Sequence, residues 1–275
     1  QVFLSNPNGI YFSPTAQVDV GGLMAATGKA NADDFMAGKA VFNREGSTGS
    51  IVNEGTIHAE LGGYIALLAP EVRNDGLLIA QSGTIALAAG ETATLNFNPA
   101  NSKVDLLVEP SKVNALIENR KMVKAPDGKV IVSAQAYNEL ASGVIKNSGE
   151  IVATGITSVG GKIVLDASTS IANSGKLDAS SAAGNGGVVR LDADTVHNEG
   201  VVNVSSSASE GRGGKATIEG NYIYIDSGAE IDATGTTGGG KVLVGGGWQG
   251  SGNLSHAIQV AMDANASMNA SALSN

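Results

Sequence analysis

Residues 146–167 read KNSGEIVATGITSVGGKIVLDA, and residues 172–193 read ANSGKLDASSAAGNGGVVRLDA. Both stretches contain an Asn-Ser-Gly turn, a pair of adjacent glycines and a final strand-like segment. Related copies of this unit lie at residues 53–67, 74–87, 197–220 and 226–244. Internal repeats with a period of about 20 to 28 residues are typical of solenoid proteins.

Each unit has the pattern of short strands that bury one face. Ile163 and Leu165 occupy alternate positions, and Val189 and Leu191 do the same in the next unit, which is the period of a β-strand. The Asn-x-Gly segments supply turns, because Asn and Gly both tolerate positive φ. The units are too short to hold a helical crossover. We therefore predict an all-β fold in which parallel strands stack as a β-helix.

Stacking of the coils brings equivalent residues into columns. We expect the turn asparagines to form a hydrogen-bonded side-chain ladder, and they are Asn53, Asn74, Asn147, Asn173 and Asn198. The same alignment places Asp166, Asp192 and Glu219 one above another, and we expect three cations on the same outward faces to offset them: Lys162, Arg190 and Lys215.

Two stretches interrupt the repeats. Residues 98–145 lack the Asn-x-Gly turn, and we predict short helices at 111–117 and 134–140 with a strand between them. Residues 29–48 are predicted to form a smaller loop. We predict one solenoid with one or two extra-helical excursions, divided into residues 1–97, 98–145 and 146–275.

The composition excludes several classes of function. The net charge is -9 and the longest basic run is Arg120-Lys121, so we expect no nucleic-acid partner. No apolar stretch is long enough to span a bilayer, so no membrane insertion is expected. The chain has 0 cysteines, which removes disulfides and Cys-ligated metals. No cofactor or metal is predicted, because His58, His197 and His256 are isolated and the calcium-binding repeat is absent.

Polysaccharide-degrading enzymes also use β-helices with carboxylates on neighbouring coils. The candidate carboxylates in this chain are Asp166, Asp178, Asp192, Asp194 and Asp232. They lie on outward positions beside cations, whereas a catalytic acid needs burial that raises its pKa. We therefore predict a non-enzymatic protein. For ligand binding, Tyr222, Tyr224 and Trp248 are the candidate sugar-stacking residues, with packing on the outside of the coil as the structural alternative.

One motif is more specific than the repeats. Asn6-Pro7-Asn8-Gly9-Ile10, followed by residues 16–23, resembles the Asn-Pro-Asn-Gly-Ile segment in the secretion domain of filamentous-haemagglutinin-like exoproteins. Residues 51–97 are similar to the downstream coils of that domain. Residues 245–250, GGGWQG, resemble a break in the adhesin repeats that follow it.

The resemblance implies a right-handed β-helix and a two-partner-secretion protein. Such a protein crosses the periplasm and is exported unfolded through an outer-membrane β-barrel transporter, whose periplasmic part reads the secretion domain. By this resemblance we assign the secretion role to five residues, Asn6, Pro7, Asn8, Gly9 and Ile10. The alternative is that they form only a structural turn. Residues 1–97 then correspond to the later part of a secretion domain, and we expect the natural N-terminus to lie upstream.

The resemblance also implies a secreted or cell-surface adhesin or biofilm-matrix scaffold. Its ligand would be a host or matrix glycan or a surface receptor, and self-association is compatible with the fold. Two alternatives stay open: the stalk of a contact-dependent toxin, and the subunit of a self-assembling extracellular filament. A polysaccharide-degrading enzyme is the least favoured class.

Overall fold

The chain was analysed as a computed structural model that describes residues 1–30, 39–98, 103–137, 141–157 and 159–274. Within these ranges the structure is built of β-strands, with one short 3-10 turn at Trp248–Gly250. Among the described residues, no helix has the length and apolar character that crossing a membrane requires. The parallel β-helix predicted from the repeats is confirmed.

The solenoid has three faces, and every neighbouring pair of strands along each face is parallel. The first face contains β1 (Val2–Ser5), the second half of β3 (Gln17–Ala26), the second half of β7 (Thr56–Leu68), β10 (Thr84–Ala89), β15 (Lys129–Ala134), β18 (Lys162–Ala167), β21 (Val188–Asp192), β24 (Lys215–Glu219) and β27 (Lys241–Val244).

The second face is a separate 9-stranded sheet. Its members are β2 (Ile10–Phe12), β6 (Ser50–Asn53), β8 (Glu71–Asn74), β13 (Ala115–Asn119), β16 (Gly143–Asn147), β19 (Ser170–Asn173), β22 (Thr195–Asn198), β25 (Tyr222–Ile225) and β28 (Gln259–Met262).

The third face contains the first halves of β3 and β7, followed by β9 (Leu77–Ala80), β14 (Met122–Lys124), β17 (Glu150–Val152), β20 (Lys176–Asp178), β23 (Val201–Asn203), β26 (Glu230–Asp232) and β29 (Ser267–Asn269). Because β3 and β7 run around the corner, the first and third faces form one continuous sheet.

The core of the solenoid consists of inward-facing side chains, which occupy alternate positions of each strand. Successive coils place equivalent aliphatic side chains in register, so each is fully surrounded. On the second face this column contains Ile51, Val72, Ile117, Ile145, Ile171, Val196 and Ile223, all at most 1% exposed. Burial of side chains such as these supplies about 1.5–3 kcal/mol each before the entropic cost of ordering the chain.

The excursions differ from the sequence-based prediction. Ala115–Asn119 is a strand, so the helix predicted at 111–117 is wrong. Ala134 ends β15 and Ala136 bridges to Ser111, so the start of the second predicted helix is also wrong; residues 138–140 lie outside the described residues. The reason is tertiary: β13 and β15 have coils stacked on both sides, and ladder pairing overrides weak local helix propensity.

The strand predicted between the two helices is present as β15. Because the strands of the coil resume at β13, the stretch without coil strands is shorter than the predicted interruption at residues 98–145. The division into residues 1–97, 98–145 and 146–275 stays a prediction.

The true excursions form a 4-stranded antiparallel sheet outside the coil. Its strands are β4 (Lys29–Ala30), β5 (Lys39–Asn43), β11 (Thr92–Asn98) and β12 (Lys103–Glu109). Phe42 and Leu95 from this sheet pack on the outward side of the first face, against Met24 and Tyr64. The loop predicted at 29–48 therefore contributes strands to a second apolar cluster, although residues 31–38, which include Asp33 and Asp34, lie outside the described residues.

Candidate functional site

The Asn-Pro-Asn-Gly segment is a tight turn between β1 and β2. The backbone N–H of Gly9 donates to the carbonyl oxygen of Asn6 at 3.1 Å. The side-chain Oδ1 of Asn6 accepts a second hydrogen bond from the backbone N–H of Asn8, also at 3.1 Å. Gly9 has φ +118°, a backbone conformation that residues with a side chain rarely adopt. Asn6 and Gly9 therefore determine the shape of the turn.

The turn is exposed but attached to the coil at several points. Asn6, Pro7 and Asn8 are exposed, whereas Ile10 is half-buried and pairs with Ile51. The backbone N–H of Asn6 donates to the carbonyl oxygen of Ala26 at 3.0 Å. A rigid, exposed turn of this kind is suited to recognition by another protein.

The buried asparagines form a continuous ladder on the inner side of the second face. Five hydrogen bonds of 2.7–2.9 Å run from the Nδ2 of each residue to the Oδ1 of the next, in the order Asn53, Asn74, Asn119, Asn147, Asn173 and Asn198. All six side chains are at most 2% exposed. The carboxamide oxygens from Asn74 to Asn198 are thus paired in a place where an unpaired polar group would be costly, and only the Oδ1 of Asn53 at the start of the ladder has no hydrogen-bond donor.

The sequence-based ladder omitted Asn119. The residues after it are Arg120 and Lys121, so the Asn-x-Gly signal is missing. The available signal was the inward alternation of Ala115, Ile117 and Asn119, which is the same pattern as in β16.

Two of the aromatic candidates, Tyr222 and Tyr224, lie on the outer side of the second face. The rings of Tyr224 and His197 are stacked with centroids 4.5 Å apart and an interplanar angle of 10°. His197 Nδ1 is 3.1 Å from Asp226 Oδ2. Tyr222 is 37% exposed on the same side of β25. Trp248 follows β27, and its side chain lies outside the described residues, so the structure brings together only Tyr222 and Tyr224 of the three.

Three acidic side chains lie in the column predicted on the outer side of the first face. Asp166 is in register with Asp192, and Asp192 with Glu219. Arg190 Nε donates to Glu219 at 2.7 Å and Arg190 Nη2 to Asp192 at 2.6 Å. Burial raises the pKa of Asp166, against a smaller opposing effect of Gln135 and Arg190. Burial also raises the pKa of Asp192, so the expectation that the candidate carboxylates lack such burial is wrong for Asp166 and Asp192.

The predicted cation partners are only partly right. Arg190 contacts the acidic column, but Lys162 and Lys215 stack in a separate column with Lys129 and Lys241. The pKa of Lys162 is accordingly lowered, first by burial and then by the charges of Lys129 and Arg190. All three cations lie on the outward face as predicted, but Lys162 and Lys215 are in register with Val188 and not with Arg190.

The remaining carboxylates serve local structure. Burial would raise the pKa of Asp178, but hydrogen bonds from Lys176 and Ser180 outweigh it and lower that pKa. Asp232 accepts from the backbone N–H of Thr234 at 2.8 Å, and Asp194 accepts from Asn221 at 2.7 Å. Among the described residues, no three His, Asp or Glu side chains are grouped as a metal site would require.

The architecture defines a class of protein. A parallel β-helix that presents an exposed Asn-Pro-Asn-Gly turn is what the resemblance to exoprotein secretion domains implied. The family model for the TPS secretion domain matches residues 1–179. The chain therefore belongs to the two-partner-secretion (TPS) secretion-domain family, as the motif resemblance implied.

Two relatives agree with this assignment. The chain is 28% identical over 149 residues to a heme/hemopexin-binding protein of Haemophilus influenzae, an alignment that covers 50% of this chain and 16% of that protein. The crystal structure of the HMW1 secretion domain from Haemophilus influenzae superposes with a TM-score of 0.64 at 23% identity, over 98% of this chain and 63% of that one. At this identity the second likeness shows the fold alone.

Family membership indicates how the protein leaves the cell. TPS exoproteins cross the periplasm and reach the cell surface or the medium through an outer-membrane transporter. This chain therefore belongs to a protein that is exported to the cell surface or the medium. The chain spans less than two thirds of either relative.

Proposed function

We propose that the Asn6–Gly9 turn, with Ile10, is the element that the periplasmic part of the outer-membrane transporter reads. The supporting observation is that Asn6, Pro7 and Asn8 are exposed while the turn is held by two internal hydrogen bonds. Both hydrogen bonds join residues within the turn, so its shape does not depend on the rest of the coil, and a locally ordered turn binds with a smaller entropic cost than a flexible segment.

The chain contains a matched control for this turn. At Asp263–Ala266 the backbone N–H of Ala266 donates to the carbonyl of Asp263 at 3.1 Å, and the N–H of Asn265 donates to Asp263 Oδ1 at 3.0 Å. These are the same two hydrogen bonds as at Asn6, in a turn with a different sequence. A comparison of the same substitution in the two turns therefore separates the effect on recognition from the effect on turn stability.

Removal of the Asn6 side chain, which accepts the hydrogen bond from Asn8, is expected to impair export. Asn6→Ala in the full-length exoprotein, produced together with its transporter, should lower the amount in the medium and on the surface about tenfold, as loss of a central contact does. Asp263→Ala removes an equivalent side-chain hydrogen bond and should change export less than about twofold, because that turn lies outside the proposed recognition element. Quantitative immunoblots of cells and medium, with and without the transporter, provide the measurement. Equal export of both variants would contradict the proposal.

For the exported protein we propose a non-enzymatic adhesin or matrix scaffold. The acidic column supports the non-enzymatic assignment, since Arg190 binds two of its three carboxylates. The Tyr222 and Tyr224 side chains support adhesion, because both lie on the outer side of β25 and Tyr222 is 37% exposed. Aromatic faces of this kind stack on the C–H groups of sugars.

A glycan-binding role makes a direct prediction. Tyr222→Ala combined with Tyr224→Ala should abolish retention of the exoprotein on an array of host and matrix glycans, while far-UV circular dichroism stays unchanged. Val144→Ala, at an outward position of β16, is the control and should be retained like wild type. Undiminished binding by the double variant would exclude this surface, and the scaffold, toxin-stalk and filament alternatives would then lead.

A further inference from the structure

A column of lysines runs along the outer side of the first face. On successive coils its positions are occupied by Lys129, Lys162, Val188, Lys215 and Lys241. At about 4.8 Å per coil, Lys162 and Lys241 stand about 14 Å apart along the solenoid axis. Like charges in register on neighbouring strands destabilise a sheet, so this arrangement costs folding free energy.

The protein itself neutralises only the first member of this column. Lys129 Nζ bonds the Oδ1 of Asp105, from the antiparallel sheet, at 2.5 Å. Lys162, Lys215 and Lys241 are exposed, and they form no ion pair with any residue that the structure describes. Three stacked ammonium groups are therefore open to an anion from outside the chain.

The acidic column on the same face limits the width of that anion. Asp166 lies four residues beyond Lys162 on β18, which is about 13 Å along an extended strand. Arg190 binds Asp192 and Glu219 in that column, so its charge is already paired within the protein. The free positive charge is confined to a narrow strip that runs parallel to the axis.

We propose that Lys162, Lys215 and Lys241, here called the lysine strip, bind a linear acidic polysaccharide that lies along the folded solenoid. Carboxylate or sulfate groups that recur along such a chain match cations that recur along the strip. A single polysaccharide chain is narrow enough for the strip, whereas a DNA duplex would bring phosphates of its two strands over the acidic column.

The lysine strip acts after export, once the coil has formed outside the cell. It goes beyond the proposed adhesive surface of Tyr222 and Tyr224, because those residues lie on the second face and the strip lies on the first. The chemistry also differs, since the strip binds anionic groups and the tyrosines stack on the C–H groups of sugars.

Removal of the three charges tests the strip. The strip variant combines Lys162→Gln, Lys215→Gln and Lys241→Gln. Because it also removes repulsion within the column, its midpoint of thermal unfolding should equal or exceed that of wild type. The matched control variant removes three exposed charges from one coil, between β12 and β15, where they do not stack across coils: Lys112→Gln, Lys121→Gln and Lys124→Gln.

The measurement is binding of the purified full-length exoprotein to immobilised alginate, as a matrix polysaccharide, and to chondroitin sulfate, as a host polysaccharide. Neutral dextran and duplex DNA are tested alongside. Wild type should bind an acidic polysaccharide with an affinity that falls as salt is added, and should not bind dextran. The strip variant should bind about tenfold more weakly, and the control variant should stay within about twofold of wild type. The polysaccharide that is bound more tightly identifies the source of the ligand.

Three results would overturn this inference. Wild type that binds neither acidic polysaccharide would do so, and so would equal losses in the strip and control variants, which would show a general effect of net charge. Tighter binding to DNA than to either polysaccharide, lost in the strip variant, would also overturn it. The proposed glycan surface fails separately, since Tyr222→Ala combined with Tyr224→Ala leaves the strip intact and should bind acidic polysaccharide like wild type.

Discussion

Gly187→Ala is expected to unfold the middle of the solenoid. Gly187 lies one coil from Gly161, and an added Cβ would overlap the carbonyl oxygen of Gly161 while standing 2.6 Å from the carbonyl carbon of Gly160 and 2.8 Å from the Ala179 oxygen. All of these are backbone atoms, so rotamer changes cannot relieve the overlap. We expect a loss of about 4 kcal/mol or more in the free energy of unfolding.

Gly228→Ala is the matched control. Gly228 has φ +86°, but a Cβ added there would meet no atom within 4 Å, so the change should cost only the strain of positive φ, about 1 kcal/mol. Urea unfolding of the chain followed by circular dichroism measures both. Similar midpoints for the two variants would show that the stacked glycines are not required for close approach of the coils.

Asn147→Ala is expected to break the asparagine ladder in its middle. The side chain accepts from Asn119 at 2.7 Å and donates to Asn173 at 2.7 Å, in a position 1% exposed. Its removal leaves the Oδ1 of Asn173 without that donor in a dry interior. We expect a loss of about 2–4 kcal/mol, since buried polar groups left unpaired carry most of that penalty.

The same substitution at the end of the ladder should be milder. Asn198 accepts from Asn173 at 2.7 Å, and the next coil places Ile225 at the equivalent position. Asn198→Ala therefore breaks one inter-coil bond instead of two, and we expect about half the loss. Thermal unfolding of both variants, compared with wild type, checks the ratio. Equal losses would mean that cavity formation, and not the ladder, determines the stability at these positions.

The repeats allowed the coil to be predicted because every coil repeats the same local pattern. Alternation around Ile163 and Leu165 indicated buried strands, and the recurrent glycine pairs marked the approach to each strand. The reason for those glycines could not be read from the sequence. It depends on the register, which places Gly187 directly against the backbone of the preceding coil.

The antiparallel sheet was missed in part because the pairing of β11 with β5 is non-local. β11 pairs with β5, about fifty positions earlier, and local periodicity contains no information about such a partner. The false helix at 111–117 has a related cause. Ser111 does bond a nearby backbone N–H, that of Val113, but as a local turn, and the strand that follows is imposed by the coils on either side.

The candidate site was predictable only in part. The motif at Asn6–Ile10 stands out as a turn from its residue types alone. The hydrogen bonds from Arg44 to Glu91 and from Ser47 to Pro7 could not be found in this way, since they join ordinary polar residues of separate segments. These contacts exist only once β5 and β11 have paired beside the first coil.

Binding between the full-length exoprotein and the periplasmic part of its transporter tests the central claim most directly. The dissociation constant is measured for wild type, Asn6→Ala and Asp263→Ala in the same buffer. Saturable binding that Asn6→Ala weakens about tenfold and Asp263→Ala leaves unchanged is the expected result. Equal affinities for all three proteins would contradict the claim that this turn is what the transporter reads.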